Sequence, residues 1–343
     1  MPSIPSKNEK KAPIGALCAP PTPQDSSTSN SNNGNINQPR QPTNLPGLLR
    51  FAMDSTCGDD PTEQHFLPMD EDRKKFLEDA LKSMTINVVE VLQEQIKKLI
   101  KVDTIKEADD VTEYLEALET ILDYIDNIDI ANDFHKIGGF LILKPCLNSG
   151  HPAVQAGGCA LIAELCQNNP YCQNIIIENE FVPILLHILN TDSNSLVGVK
   201  CLYALSAISR DNTDGFAQLI RYGGFNIFMK TLQKDDDRFR IKTAFLLSSL
   251  CRSQPDLKSR LIFLEIIPVL ISLISEERKP SSEHILSLLL SLVEDNATAL
   301  NECKNPQYNF KEILQNYISK VENKEEYKED EEYCKRLWHM IFT

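Results

Sequence analysis

Gly138-Gly139-Phe140-Leu141-Ile142-Leu143 returns in altered spelling as Glu180-Phe181-Val182-Pro183-Ile184-Leu185, Gly223-Gly224-Phe225-Asn226-Ile227-Phe228 and Glu265-Ile266-Ile267-Pro268-Val269-Leu270. Aligning Phe140 with Phe181, Phe225 and Ile266 gives intervals of 41, 44 and 41 residues. A regular period in this range, filled with helical patterns, marks an armadillo or HEAT solenoid, in which each unit covers its neighbour's apolar face. The expected fold class is all-α: an armadillo-repeat solenoid with helical N- and C-terminal caps. Such folds present a long curved surface to a partner and rarely perform chemistry.

Each unit reads as a short helix, a medium one and a longer one. The pairs Gly138-Gly139 and Gly223-Gly224 suit the sharp turn between the first two, since glycine reaches positive φ without steric cost. Pro183 and Pro268 fall in the first turn of the second helix, where a missing N–H costs little. The third helices are expected at about 152–167, 195–210, 237–252 and 281–294, with 108–126 as the third helix of an incomplete leading unit. Upstream, helices start near Met69, where Asp70 can cap; Phe76, Leu77, Ala80, Leu81 and Met84 then recur at helical spacing. Another helix holds Val88, Val91, Leu92, Ile96 and Leu99. Downstream, helices at about 308–321 and 325–341 carry polar runs such as Glu325 to Asp330, as a water-facing cap would. The domain plan is a tail over 1–44, an apolar segment over 45–60, an N-terminal cap over 69–107, repeats over 108–304 and a C-terminal cap over 305–343.

The tail is rich in Pro, Ser, Asn, Gln and Thr, and holds too little apolar surface to offset the entropy of ordering. Leu45, Leu48, Leu49, Phe51 and Met53 then form an apolar island. It either docks on the protein's own core or engages a partner.

The chain has 343 residues, 42% of them hydrophobic, and a net charge of −14. That charge argues against nucleic acid and against an anionic membrane surface. No apolar run reaches bilayer-spanning length, and the lysines at 7, 10 and 11 are not followed by a signal-peptide core. A cytosolic location is the expectation, with nuclear access left open. Ten cysteines are scattered without a CxxC pair, and Cys159, Cys166, Cys201 and Cys251 fall in helical patterns. They read as small buried apolar groups in a reducing compartment, the alternative being a disulfide set. The histidines at 65, 135, 151, 187, 284 and 339 do not pair at metal-ligand spacing. No P-loop, dinucleotide fingerprint or nucleophile elbow occurs. No catalytic residue, metal or cofactor is expected.

In an armadillo fold the third helices stack side by side and line the concave face. Cys201, Ala204, Leu205 and Ile208 in one copy, and Thr243, Leu246, Leu247 and Leu250 in the next, point to the core. Residues at i, i+3 and i+7 project the other way. From the N-terminal end these are Glu116, Glu119, Asp123; Gly157, Ala160, Glu164; Lys200, Tyr203, Ala207; Lys242, Phe245, Ser249; and His284, Ser287, Ser291. Asn127 and Asn168 complete the candidate groove. It is acidic at its start and basic with aromatics in its middle, with Arg238 and Arg240 adding charge nearby. Such faces are either ordinary solvated surface or, because two lysines and two aromatics recur in adjacent copies, the material of a binding hot spot.

Several further stretches now bear on family. They include Met69 to Leu77, Ile128 to Phe134, Leu161-Ile162-Ala163 with Gln167-Asn168, Val199 to Ile208, Lys242 to Leu247, Glu283 to Leu286, Glu325 to Tyr327 and Glu332 to Cys334. In this order, over roughly 45–342, the chain resembles the armadillo-type nucleotide exchange factors of heat-shock protein 70, the heat-shock-protein-70-binding protein family. The resemblance implies a monomeric co-chaperone whose body clasps one lobe of the chaperone's ATPase domain, so that ADP leaves. It implies that Leu45 to Met53 act on the chaperone's peptide-binding domain and help free substrate polypeptide. The missing signal peptide favours the family's cytosolic branch. Gly157-Gly158 departs from the larger residues expected there. A nuclear-import adaptor, also armadillo, is set aside. Its Trp ladder positions hold Ala160, Tyr203, Phe245 and Ser287; its Asn positions hold Glu164, Ala207, Ser249 and Ser291; and the one tryptophan is Trp338. The alternative is an armadillo scaffold for another protein partner.

Overall fold

The computed structural model describes residues 71, 74–75, 87–191, 194–275 and 277–343. The chain divides into two units, Met1–Lys75 and Phe76–Thr343. Of the first, Glu71, Lys74 and Lys75 are described, all helical and exposed. The tail, the apolar island and the helix expected to start near Met69 otherwise lie outside the described residues.

The second unit is helical, with no strand among the described residues. A leading pair, α1 (Val88–Leu99) and α2 (Thr112–Ile125), precedes triplets in strict order. The first is α3 (Ile128–Lys136), α4 (Leu143–Leu147) and α5 (Pro152–Cys166). The next three are α6 (Pro170–Glu178), α7 (Phe181–Thr191), α8 (Ser195–Ser209); α9 (Thr213–Arg221), α10 (Gly224–Leu232), α11 (Asp237–Ser253); and α12 (Asp256–Phe263), α13 (Ile266–Ser275), α14 (Ser282–Val293). A last triplet is α15 (Ala297–Cys303), α16 (Phe310–Val321) and α17 (Lys328–Phe342). The third helices α2, α5, α8, α11, α14 and α17 pack each on the next. The four inner ones, α5, α8, α11 and α14, are buried on most sides because each lies between two others and against its own second helix. In the first triplet the second helix is split: a 3₁₀ turn, Gly139–Ile142, precedes α4. Pro145, three residues into α4, has no N–H for the bond to residue 141 that a continuous helix needs.

What punctuates the repeat is backbone handedness. The residue between first and second helix has positive φ in every triplet: Gly138 (89°), Glu180 (59°), Gly223 (69°), Glu265 (58°) and Asn309 (48°). The intervals are thus 42, 43, 42 and 44, more even than the spacing of the aromatic landmarks. This corrects the sequence alignment by one residue in two copies: Phe181 and Ile266 match Gly139 and Gly224, not Phe140 and Phe225. It also extends the array. The helices expected to form a C-terminal cap are the second and third helices of a fifth triplet, since α16 packs on α13 and α17 on α14.

A second left-handed residue follows three of the third helices: Asn168 (52°), Asp211 (51°) and Asp295 (56°). Asn and Asp tolerate this conformation better than other non-glycine residues. An asparagine comes next each time and caps the first helix. Asn169 Oδ1 accepts from Cys172 N (3.3 Å), Asn212 from Gly215 N (2.9 Å) and Asn296 from Ala299 N (3.1 Å). The loops are thereby fixed locally, which keeps the third helices in step.

Glu180 and Glu265 occupy slots that glycine fills in two sister copies. A left-handed non-glycine residue costs about 1–2 kcal/mol, and glycine's own entropy cost offsets about half of that. The Glu180→Gly/Glu265→Gly variant should therefore gain about 1 kcal/mol and melt roughly 2–4 °C higher. A lower Tm by calorimetry would mean that the two glutamates make contacts outweighing the strain.

Candidate functional site

The expected groove residues lie on five successive third helices. Glu116, Glu119 and Asp123 on α2 are exposed. Gly157 and Glu164 on α5 are partly exposed, as are Lys200 and Tyr203 on α8. Lys242 and Phe245 on α11 are exposed, Phe245 by 47%, and Ser249 partly so. His284, Ser287 and Ser291 on α14 are partly exposed. Two members fail the expectation. Ala160 and Ala207 are buried, at 7% and 2% exposure, because a methyl group is too short to emerge between taller neighbours. Asn127 and Asn168 are exposed, but each serves the fold. Asn127 caps α3 by accepting from Asp129 N (2.9 Å), and Asn168 is one of the left-handed residues.

The middle of the stripe is knitted across helices. Tyr203 Oη donates to Glu164 Oε1 at 3.0 Å, joining α8 to α5. Burial and this carboxylate both raise the Tyr203 phenol above its ordinary value. Lys242 Nζ stands 5.9 Å from the Tyr203 ring centre, joining α11 to α8. Such cation–ring contacts are worth about 0.5–1 kcal/mol at exposed sites. Acid, phenol and ammonium thus run in line across three units.

Arg238 and Arg240 are not the groove cations the sequence suggested. Arg240 is buried, its Nε donating to the Leu232 carbonyl (3.4 Å) and its Nη atoms facing Asp235 and Asp237. Arg238 is committed to Asp236 (2.8 Å) and the Ser195 hydroxyl (2.6 Å). The cations that do flank the stripe are Arg210 and Arg252. The Arg210 guanidinium lies 5.9 Å from the Phe245 ring centre. Arg210, Asp211, Phe245, Ser249, Arg252 and Ser253 line one hollow of about 360 Å³. A second, of about 200 Å³, shares Phe245 and Arg252 and adds Ser248, Glu283, His284, Ser287 and, from α17, Tyr333. Phe245 and Arg252 are common to both hollows, and Arg210 lines the first alone. The signal was present in the sequence. Continuing i, i+3, i+7 by three residues gives Asp126, Gln167, Arg210, Arg252 and Glu294.

His284 has its Nδ1 buried without a hydrogen-bond partner. Burial holds the imidazole below its ordinary value, Lys242 adds to this, and Glu329 and Asp330 oppose it. Beside it, burial and then the neighbouring Glu329 raise Glu283. His284 is therefore neutral at pH 7, and the basic stretch consists of lysine and arginine. An NMR titration should place His284 below the usual ~6.5. Its folded value being depressed, the stability carried by the neutral ring is full above that pH and is lost as pH falls through the folded value. Titration at or above 6.5 would show that the ring is solvated.

Among the described residues no group of three or more His, Cys, Asp and Glu is placed to hold a metal ion. No helix among them is long and apolar enough to cross a membrane.

The SIL1/FES1/HPBP1 C-terminal domain family matches residues 130–259, from within α3 to within α12 and without the leading pair. Hsp70-binding protein 1 of Rattus norvegicus is 31% identical over 315 residues, covering 89% of this chain and 87% of its own. The Homo sapiens protein of the same name is 30% identical with the same coverage. The Hsp70 nucleotide exchange factor FES1 of Mycosarcoma maydis is 26% identical over 157 residues, 46% of this chain and 39% of its own. Among solved structures, a designed armadillo repeat protein superposes with a TM-score of 0.58 at 14% identity, over 73% of this chain and 99% of its own. The last shows the armadillo fold alone. Identity near 30%, sustained over most of both chains, makes this chain a member of the Hsp70-binding protein 1 family.

Proposed function

We propose that this protein is a nucleotide exchange factor of cytosolic Hsp70, a co-chaperone with no chemistry of its own. The observation that carries the reading is the lysine, arginine and aromatic stripe on α8 and α11. It faces solvent in a chain of net charge −14, in a family whose named members bind Hsp70 or exchange its nucleotide. Charge of one sign concentrated in a concavity selects an acidic surface and speeds encounter with it. The groove would take that surface on one lobe of the ATPase domain, working as a monomer. If it grips a conformation in which the lobes are spread, ADP loses contacts in the bound state. Linkage then requires that ADP and this protein weaken each other's binding by one common factor. Leu45, Leu48, Leu49, Phe51 and Met53 would act separately, on the chaperone's peptide-binding domain.

Release of a fluorescent ADP analogue from Hsp70 tests this directly. Saturating protein should raise the off-rate at least tenfold, while the protein alone hydrolyses no ATP. Replacing Leu48 and Leu49 by serine should leave that acceleration intact and slow the release of bound polypeptide. An unchanged off-rate at saturation would turn the reading toward an armadillo scaffold for a different partner.

A further inference from the structure

Two thiols meet between the first and second complete units. Cys159 on α5 and Cys201 on α8 are each 0% exposed, and their Sγ atoms are 3.3 Å apart. All eight described cysteines are buried, so burial does not single this pair out. Reach does. Between Cys159 and Cys201 no atom intervenes, and a disulfide needs its sulfurs about 2.05 Å apart. The two packed helices would have to close by little more than an ångström.

We propose that Cys159 and Cys201 form an oxidative cross-linking site, converted by a hydroperoxide into a disulfide that ties α5 to α8. One thiol, as its thiolate, attacks a peroxide oxygen; the O–O bond breaks, water leaves and a sulfenic acid remains. The second thiol attacks that sulfur, the S–S bond forms and a second water leaves. Two thiols and one hydrogen peroxide thus become one disulfide and two waters, sulfur being oxidised and peroxide oxygen reduced. The oxidant reaches the pair only when the helices part locally, so the reaction is slow, and burial slows reduction equally. The cross-link ties the same two helices that the Glu164–Tyr203 bond joins. It fixes the stagger of α5 against α8 where the acidic end of the stripe meets its basic middle.

The test uses the full chain treated with hydrogen peroxide, then denatured, alkylated and digested without reductant. The expected product is one peptide joining Cys159 to Cys201, lighter by two hydrogens than the sum of its parts and absent from Cys201→Ala. The oxidised protein should melt higher than the reduced one, and dithiothreitol should reverse the shift. Recovery of both cysteines fully alkylated, under conditions that oxidise other thiols of the chain, overturns the proposal. So does mapping either of them to a different cysteine. The mapping is made on the wild-type chain, so a variant that folds poorly does not obscure it.

Discussion

Lys200→Glu combined with Lys242→Glu should lower affinity for the Hsp70 ATPase domain by at least a hundredfold and abolish acceleration of ADP release. The two ammonium groups sit on adjacent third helices, Lys200 partly exposed and Lys242 exposed, with Lys242 over the Tyr203 ring. Reversing them removes attraction and adds repulsion toward the same acidic surface, and close charge pairs across interfaces are coupled by about 1.5–7 kcal/mol. About 3 kcal/mol in total, the low end for two pairs, is already a factor of more than 100. Neither side chain is in the core, so Tm should move little. Binding measured by calorimetry at two salt concentrations checks the cause, because the wild-type affinity should fall with salt more steeply than the variant's. A variant that binds normally would remove the groove from the proposal while leaving the family untouched.

Arg278→Ala should destabilise the protein by about 3 kcal/mol and lower the Tm by roughly 6–12 °C. Arg278 Nε donates to Asp330 Oδ2 at 2.7 Å, and Tyr317 Oη donates to the same oxygen at 3.2 Å. Asp330 is 1% exposed and its other oxygen is buried without a partner. The Arg278 guanidinium also lies 3.8 Å from the Tyr327 ring centre. Removing the arginine strands a carboxylate inside the protein; the usual 3–5 kcal/mol is taken at its lower end because the Arg278 side chain is 27% exposed. The damage should concentrate in the last triplet, since Asp330 belongs to α17. Adding Asp330→Leu should recover much of the loss, as a buried pair replaced by an apolar residue leaves no orphan charge. Denaturation of the single and double variants decides it. Equal losses in both would show that Arg278 acts by packing alone.

The third helices were legible because their apolar pattern is dense. The range 152–167 resolves to Pro152–Cys166, and 237–252 to Asp237–Ser253. Register across the repeat was not legible, because it is set by a positive φ that glycine advertises and Glu180 or Glu265 conceals. The fifth triplet was hidden for a related reason. In α17 the buried row is Asp330, Cys334, Leu337 and Ile341, so a charge stands where the pattern should begin. The stripe could be read as a list of outward positions, but not as a charge map. Arg240 looked available and is turned onto Leu232, whereas Arg210 and Arg252 fall one step beyond the point where the row was cut off. Which alanines emerge is a matter of neighbour height, and spacing carries no information about that.

Because the left-handed residue recurs with one backbone geometry from Gly138 to Asn309, any two such points are interchangeable ends. A stretch cut from one slot to the next carries a second helix, a third helix and the following first helix. Its two ends need no new joint when it is copied or lost. Duplication or deletion between slots would lengthen or shorten the groove by a whole unit while every retained loop keeps its own hydrogen bonds. In such a chain the genetic module is the slot-to-slot segment, offset from the structural triplet by one helix. Inheritance of groove length in whole steps follows from a handful of dihedral angles.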